Sequence, residues 1–278
     1  MILHSLSDNK RRWLLLLLSL GSLLILGFYT ATSPERLNNS LILDGSDWAG
    51  YAFCHRFVSH SFTINGRPMA LCARCTGMYL GVAVTAVLLG LAGRIRHADL
   101  PTKPIMVALA AFVAIMGLDG LNSMAYSLPA LPQAYTPQNW LRLVTGMGTG
   151  LAMGAFMLPA LGQTLWKAER FRPAVRSWQE LLEMVVVAGT AVLLIMSNQP
   201  ALLYVLSIVS TLGLLLILTA INAIIYLVIV QRDGQATTWS AALWPLLLGL
   251  SLAIIQISAI SYFRFSLTGT MSGLPGME

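Results

Sequence analysis

The stretch MALCARCTGMYLGVAVTAVLLG, residues 69–90, joins two cysteines to an apolar run of the length that forms a membrane helix. Pro68 follows the turn signal in INGRP, and proline suits the first turn of a helix. We predict a helix over about residues 70–93. Cys72 and Cys75 would share one face near its N-terminus, where the helix dipole favours the thiolate over the thiol.

The composition of the whole chain is that of a membrane protein. Of its 278 residues, 56% are hydrophobic and 10% are charged. Several apolar runs reach about 18 residues or more, beyond what a soluble core of this size would bury. We therefore predict an all-α fold, a polytopic transmembrane helix bundle of about seven spans. The predicted helices cover about residues 13–31, 70–93, 104–126, 139–165, 181–198, 201–230 and 239–263.

This pattern divides the chain into three segments. Residues 1–31 would form an N-terminal transmembrane anchor, although the basic start and the apolar run also fit a signal sequence. Residues 32–166 hold the Cys/His loop and helices two to four, and we expect this part to be functional. Residues 167–278 carry three further helices with few buried charges and are expected to act as a scaffold.

The distribution of the basic residues indicates how the chain is oriented in the membrane and which partners it has. With a cytoplasmic N-terminus and an outer C-terminus, eleven of the seventeen lysines and arginines fall on the inside, which satisfies the positive-inside rule. The formal charge of +6 comes from residues that flank apolar runs and form no stripe, so we expect membrane lipids and no nucleic acid as partners. The chain would be a multi-pass protein of the cell membrane, with the Cys/His loop outside.

Small residues predict which helices touch. Gly77 and Gly81 are four residues apart, as are the glycines of NWLRLVTGMGTGLAMG, residues 139–154. Such spacing lets helix backbones approach closely. Packing these two surfaces together would bring Arg142 beside Arg74 and the cysteines.

Polar residues from three segments should then meet in the outer leaflet. Asp119 lies deep in the third helix, where an ionised group costs about 2.5–3.5 kcal/mol, so we expect Arg74 or Arg142 to be its partner. We assign Asp119, Arg142 and Arg74 as candidate catalytic residues. Asn122, Asn139 and Arg56 are candidate ligand-binding or cofactor-binding residues. The candidate metal ligands are Cys54, Cys72, Cys75, His55 and His60.

These residues carry a resemblance. The order Cys-His-Arg, Ser-Phe, GRPMALCARCTGMYLG, Asp-Gly and NWLRLVTG is similar to a family of bacterial and archaeal polytopic membrane proteins of unknown function, over about residues 54–154. The Cys-Ala-Arg-Cys-Thr-Gly core is its most specific part. The resemblance implies that the loop and helices two to four build one site, and it implies no reaction.

The first hypothesis for the chemistry of this site is a metal ion, zinc above all. Three cysteines and one histidine form a standard zinc ligand set, and a C-x2-C pair is a common half of one. Because adjacent residues rarely bind the same ion, His60 is favoured over His55 as the fourth ligand. A closed site would be structural, whereas an open position would let the ion activate water.

Three alternatives remain open. Cys72 and Cys75 could form a disulfide with Cys54 as a third thiol, in a thiol-disulfide or quinone-linked oxidoreductase. Arg56, Arg74 and Arg142 could instead bind an anion or a lipid headgroup, as substrate or as cargo. A disulfide and an Arg-Asp pair could also simply fasten the loop to the bundle.

Overall fold

The predicted all-α bundle is confirmed. A computed structural model describes residues 8–127, 132, 134–167 and 170–271. Residues 1–7 of the predicted anchor and 272–278 of the predicted scaffold lie outside the described residues. The helices are α1 (Asp8–Ala31), α2 (Pro34–Asn38), α3 (Leu41–Phe53), α4 (Ala73–Leu91), α5 (Lys103–Ser127), α6 (Asn139–Leu165), α7 (Trp178–Met196), α8 (Pro200–Ile229) and α9 (Trp239–Thr268).

Six of these helices, α4 to α9, are long and apolar enough to cross a membrane within the described ranges. In α1 the apolar segment Leu16–Ala31 is shorter than a typical span. The predicted number of seven spans and the side on which each end of the chain lies therefore stay predictions. The relative direction of the helices is clear, because the N-termini of α4 and α6 meet the C-termini of α1, α5 and α9 at one end of the bundle.

The INGRP turn forms a hairpin and does not begin the helix, contrary to the prediction for Pro68. Strand β1 (Thr63–Ile64) pairs antiparallel with β2 (Arg67–Pro68) around Asn65 and Gly66, which both have positive φ, as a two-residue hairpin turn requires. Met69 continues the ladder by donating to the Phe62 carbonyl. Because these backbone groups are used in the hairpin, α4 begins only after Cys72, which is its N-cap residue.

The loop expected between the first two spans contains a helix that the sequence analysis missed. Helix α3 lies against α9, where the Ser261 hydroxyl donates to the Trp48 carbonyl and the hydroxyls of Tyr51 and Thr268 are 2.7 Å apart. With thirteen residues, α3 is too short to span a bilayer. It brings the segment that follows it, including Cys54, to the N-terminus of α4.

At the opposite end of the bundle, two short strands tie the helices together. Strand β3 (His97–Asp99) pairs parallel with β4 (Arg170–Pro173). The Arg96 guanidinium lies over the rings of Trp166 and Trp239, 4.1 and 5.3 Å from their centroids. These contacts fix the ends of α6 and α9 far from the cysteines.

Helices α4 and α6 touch through their backbones, as the glycine spacing predicts. A Cβ atom on Gly146 would lie 2.2 Å from the Arg74 carbonyl oxygen, and one on Gly150 would lie 2.0 Å from that of Met78. From the other side, a Cβ on Gly77 would meet the Leu143 carbonyl oxygen at 2.3 Å. Only glycine allows this approach, because each of these neighbouring atoms belongs to the backbone and cannot rotate away.

We predict that Gly150→Ala destabilises the protein, while Gly189→Ala does not. The added methyl group at position 150 would force α4 and α6 apart, and overpacking of this kind costs about 1–3 kcal/mol. Gly189 is a helical glycine with nothing within 4 Å of its would-be Cβ, so it is a matched control. Thermal unfolding of both variants in detergent measures the difference. Equal melting temperatures would contradict the close contact.

Candidate metal centre

Cys54 and Cys72 are held together by the ends of two helices. Cys54 follows α3 as its C-cap residue and is 2% exposed. Cys72 is 3% exposed, and its backbone N–H donates to the Cys54 Sγ at 3.2 Å. Cys75 lies one turn into α4 and is half-buried. The three cysteines are free thiols.

The side chains of Cys54, His55 and Cys72 form a potential metal-binding cluster. Their ligand atoms all lie within 4.8 Å of one another. The Cys75 thiol, one turn into α4, interacts electrostatically with the thiols of Cys54 and Cys72, but Cys75 is not among the three residues of the cluster. Two sulfur atoms and one imidazole therefore converge on a small volume at the N-terminus of α4, with the Cys75 sulfur as their neighbour.

The geometry favours His55 over His60 as the nitrogen ligand, the reverse of the preference drawn from the sequence. Arg56 has a φ of 53°, and this left-handed residue bends the chain directly after His55. The Phe57 N–H donates to His55 Nδ1 at 3.2 Å, which leaves Nε2 to bind a metal. His60 packs edge-on against His55, with 5.3 Å between ring centroids, and it is not among the three residues of the cluster.

The electrostatic surroundings favour one deprotonated sulfur and neutral imidazoles. Hydrogen bonds from the Cys72 and Cys75 thiols lower the pKa of Cys54 well below its usual value, despite burial. As the donor, Cys72 has its pKa raised to about 12. Burial, followed by the charge of Arg142, lowers the pKa of His60 to about 4, and burial also lowers the pKa of His55. Both imidazoles are neutral at pH 7, which is the form that binds metal.

Arg264 of α9 holds the backbone of the Cys54 loop, and the sequence analysis did not assign it to the site. Its Nη1 donates to the carbonyls of Tyr51 and Cys54, both at 2.6 Å, and its Nη2 donates to that of His55 at 3.4 Å. The guanidinium also lies 4.2 Å from the centroid of the Tyr51 ring. The signal in the sequence was a single arginine within the apolar run SYFRFS, where an unexplained charge indicates a buried partner.

Arg56, a predicted ligand-binding residue, is already paired within the segment that precedes α4. Its Nη2 lies 2.9 Å from an oxygen of Asp47, and Arg67 contacts the other oxygen of the same carboxylate at 2.7 Å. Arg67 also pairs with Asp44 at 2.7 Å. These ion pairs fasten the hairpin to α3 beside the cysteine cluster.

A second polar group surrounds Asp119, which is 2% exposed. Arg74 is its ion-pair partner, and Arg74 is one of the two partners that the sequence predicted. The Tyr135 hydroxyl donates to the other carboxylate oxygen at 2.8 Å, and the Thr145 hydroxyl lies 3.4 Å away. Neither Tyr135 nor Thr145 was anticipated from the sequence. The carboxylate therefore has a partner on each of its two oxygens.

The predicted asparagines connect the helices to neighbouring backbone. Asn122 accepts the Ala134 N–H at 2.8 Å and donates to the Tyr135 carbonyl at 2.9 Å, so it positions the chain segment that covers Asp119. Asn139 donates to the Ser59 carbonyl at 3.1 Å and accepts from Arg142 at 2.9 Å. Arg142 is thus linked through Asn139 to the loop that carries the histidines.

Comparisons with known proteins agree with the resemblance found in the sequence. The family described as "Predicted membrane protein (DUF2085)" matches residues 54–156, a range that includes every predicted site residue. An uncharacterized protein of the archaeon Methanocaldococcus jannaschii is 28% identical over 114 residues, which cover 41% of this chain and 67% of that protein. No solved structure matches the chain. The matched part corresponds to the Cys/His cluster and the surroundings of Asp119.

We predict that Asp119→Asn lowers the free energy of unfolding by on the order of 3 kcal/mol, because it leaves the Arg74 charge without its carboxylate. Asp233→Asn, which removes an exposed carboxylate, should have little effect. The double variant Arg74→Met/Asp119→Leu should regain most of the loss, since it removes both charges. Thermal unfolding in detergent tests all three. An Asp119→Asn protein as stable as the wild type would show that the pair contributes nothing.

Proposed function

We propose that this protein is a metal-binding membrane protein whose site holds one zinc ion. The proposed ligands are the sulfur atoms of Cys54, Cys72 and Cys75 and the Nε2 atom of His55. The observation that carries the proposal is the convergence of the ligand atoms of Cys54, His55 and Cys72, which lie within 4.8 Å of one another, and Cys75 is proposed as the fourth ligand because its thiol neighbours the other two.

The separation of these atoms fits a tetrahedral zinc site with small adjustments. With zinc–sulfur bonds of about 2.3 Å, two sulfur ligands lie roughly 3.8 Å apart. Thiolates and imidazole together favour zinc over magnesium, calcium or manganese, which prefer oxygen. The lowered pKa values of Cys54 and His55 favour the thiolate and the neutral imidazole, which are the forms that bind metal.

The site also has the outer support that zinc ligands need. Arg264 fixes the carbonyls of Cys54 and His55, and the Phe57 N–H orients the imidazole. Such contacts set the direction of the ligands and typically change metal affinity ten- to a hundredfold. With four protein ligands the ion would be structural, and it would join α3, the loop and α4. Release of His55 would open a position for water and would make the site a membrane-embedded hydrolytic centre.

Thiol-disulfide exchange is the second candidate, favoured by the three free cysteines that lie in one region of the molecule. The Cys54 sulfur would be the nucleophile. Oxidation of two thiols to a disulfide would release two protons and two electrons, and a quinone in the membrane would take up both to become a quinol. A bound metal and a disulfide exclude each other at these sulfurs, so one measurement separates the two functions.

We predict about one zinc ion per chain in protein purified without chelator, measured by elemental analysis. Cys54→Ser and Cys72→Ser should lose the ion, because each removes a thiolate ligand. His55→Ala should weaken binding by a factor of ten or more, in the range expected when a zinc ligand or its support is lost. His60→Ala is the matched control and should retain the metal.

Thiol counting under denaturing conditions without reductant completes this test. Three free thiols after zinc removal are expected. A protein without zinc and with one free thiol would overturn the metal proposal and support thiol exchange. Loss of zinc in His60→Ala, with retention in His55→Ala, would reassign the fourth ligand.

We further propose that the Cys/His end of the bundle faces the outside of the cell, on the basis of the positive-inside rule. Glu35 lies exposed at this end and Asp233 lies exposed at the opposite end. With a membrane-impermeant maleimide on intact cells, Glu35→Cys should be labelled at once, and Asp233→Cys only after permeabilisation. Labelling of the native cysteines is the background signal, and it is measured in the parent protein. The reverse pattern would invert the topology.

A further inference from the structure

Arg142 is a buried cation without a carboxylate partner in the described part of the chain. The residue is 6% exposed, and its side chain donates one hydrogen bond, from Nη1 to Asn139. A guanidinium has five N–H groups to donate. Among the described residues, the other N–H groups of Arg142 make no side-chain hydrogen bond and no ion pair, although the residue as a whole is buried.

Arg74, which lies beside Arg142, also has an unused hydrogen-bond donor. Its Nη2 donates to the Asp119 carboxylate and, at 3.1 Å, to the Ser123 hydroxyl. Its Nε is buried and has no hydrogen-bond partner among the described residues. Among the described residues, Asp119 forms its ion pair with Arg74 and accepts from Tyr135 and Thr145, and it makes no ion pair with Arg142. Two guanidiniums and one carboxylate leave this pocket with one surplus positive charge.

Other arginines at the same end of the bundle are satisfied, which sets Arg142 apart. Arg67 contacts two carboxylates, and Arg56 contacts one. Arg264 pairs with no carboxylate of the described residues, but it donates to three carbonyl oxygens and lies over an aromatic ring. Each of these arginines therefore has more hydrogen-bond acceptors among the described residues than Arg142 has.

We propose that Arg142 and Arg74 form a binding site for an oxyanion, a phosphate or carboxylate group, beside the Cys/His cluster. The planar guanidinium offers paired N–H groups that match two oxygens of such a group. Both arginines are close enough to the loop for their charges to lower the pKa of His55 and His60. A bound oxyanion would therefore be held next to the imidazoles. The site does not depend on whether the cluster holds zinc.

The test is a titration of delipidated, detergent-purified protein, with thermal stability as the readout and constant ionic strength. Inorganic phosphate is the first probe, and it should raise the melting temperature of the wild type in a saturable way. Arg142→Gln should weaken the apparent affinity by about tenfold or more, as the loss of a charged hydrogen-bonding partner predicts. Arg36→Gln removes an exposed arginine at the same end of the bundle and should bind phosphate like the wild type.

A second arm identifies the source of the oxyanion. The protein is reconstituted in nanodiscs of phosphatidylcholine with or without phosphatidylglycerol. Stabilisation by phosphatidylglycerol that Arg142→Gln abolishes, without a response to inorganic phosphate, assigns a lipid headgroup. A response to phosphate in both lipid mixtures assigns a soluble anion. If neither probe stabilises the wild type more than Arg142→Gln, the proposal is wrong.

Two further measurements keep the result interpretable. Arg142→Lys keeps the charge but not the paired N–H groups. It should therefore fold, and it should bind phosphate more weakly than the wild type; equal affinity would contradict the proposed recognition.

Zinc content is measured in every variant. Phosphate binding lost with zinc retained supports a separate oxyanion site. Zinc lost from Arg142→Gln, with no phosphate response in the wild type, would show that Arg142 only balances the charge of the metal-bound thiolates.

Discussion

The backbone contact between α4 and α6 determines where the polar residues of this protein lie. Because Gly146 and Gly150 rest against the carbonyls of Arg74 and Met78, the first two turns of α4 cannot shift along α6. That contact sets the height of Arg74 relative to Asp119 on α5, and of Cys72 and Cys75 relative to the loop. A larger residue in this interface would displace both polar groups together, since each has one member on α4.

Part of this arrangement could be predicted from the sequence, because short-range spacing encodes it. Four-residue glycine repeats identified the α4–α6 contact, and a deep carboxylate in an apolar helix identified the need for an arginine partner. The asparagine and glycine of INGRP correctly indicated a turn. The inference that Pro68 then starts a helix failed, because the hairpin continues through Met69 and uses the backbone groups that a helix would need.

The features that were missed depend on tertiary structure. Helix α3 was hidden in a segment interpreted as a loop, since its thirteen residues are too few for a span and its apolar face is explained only by α9. The preference for His60 over His55 as a metal ligand stays a prediction, although the cluster of ligand atoms contains His55, the residue adjacent to Cys54. Arg264 lies far along the chain from the loop it supports, and no local pattern indicates that pairing.

The position of Arg264 also has a consequence for biosynthesis. This arginine follows Cys54 by 210 residues, so the ribosome has inserted α4 to α8 before the side chain that fixes the Cys54 carbonyl has been made. Until α9 joins the bundle, the carbonyls of Cys54 and His55 lack the guanidinium that holds them. The loop that carries Cys54 and His55 therefore reaches its final geometry late in membrane insertion.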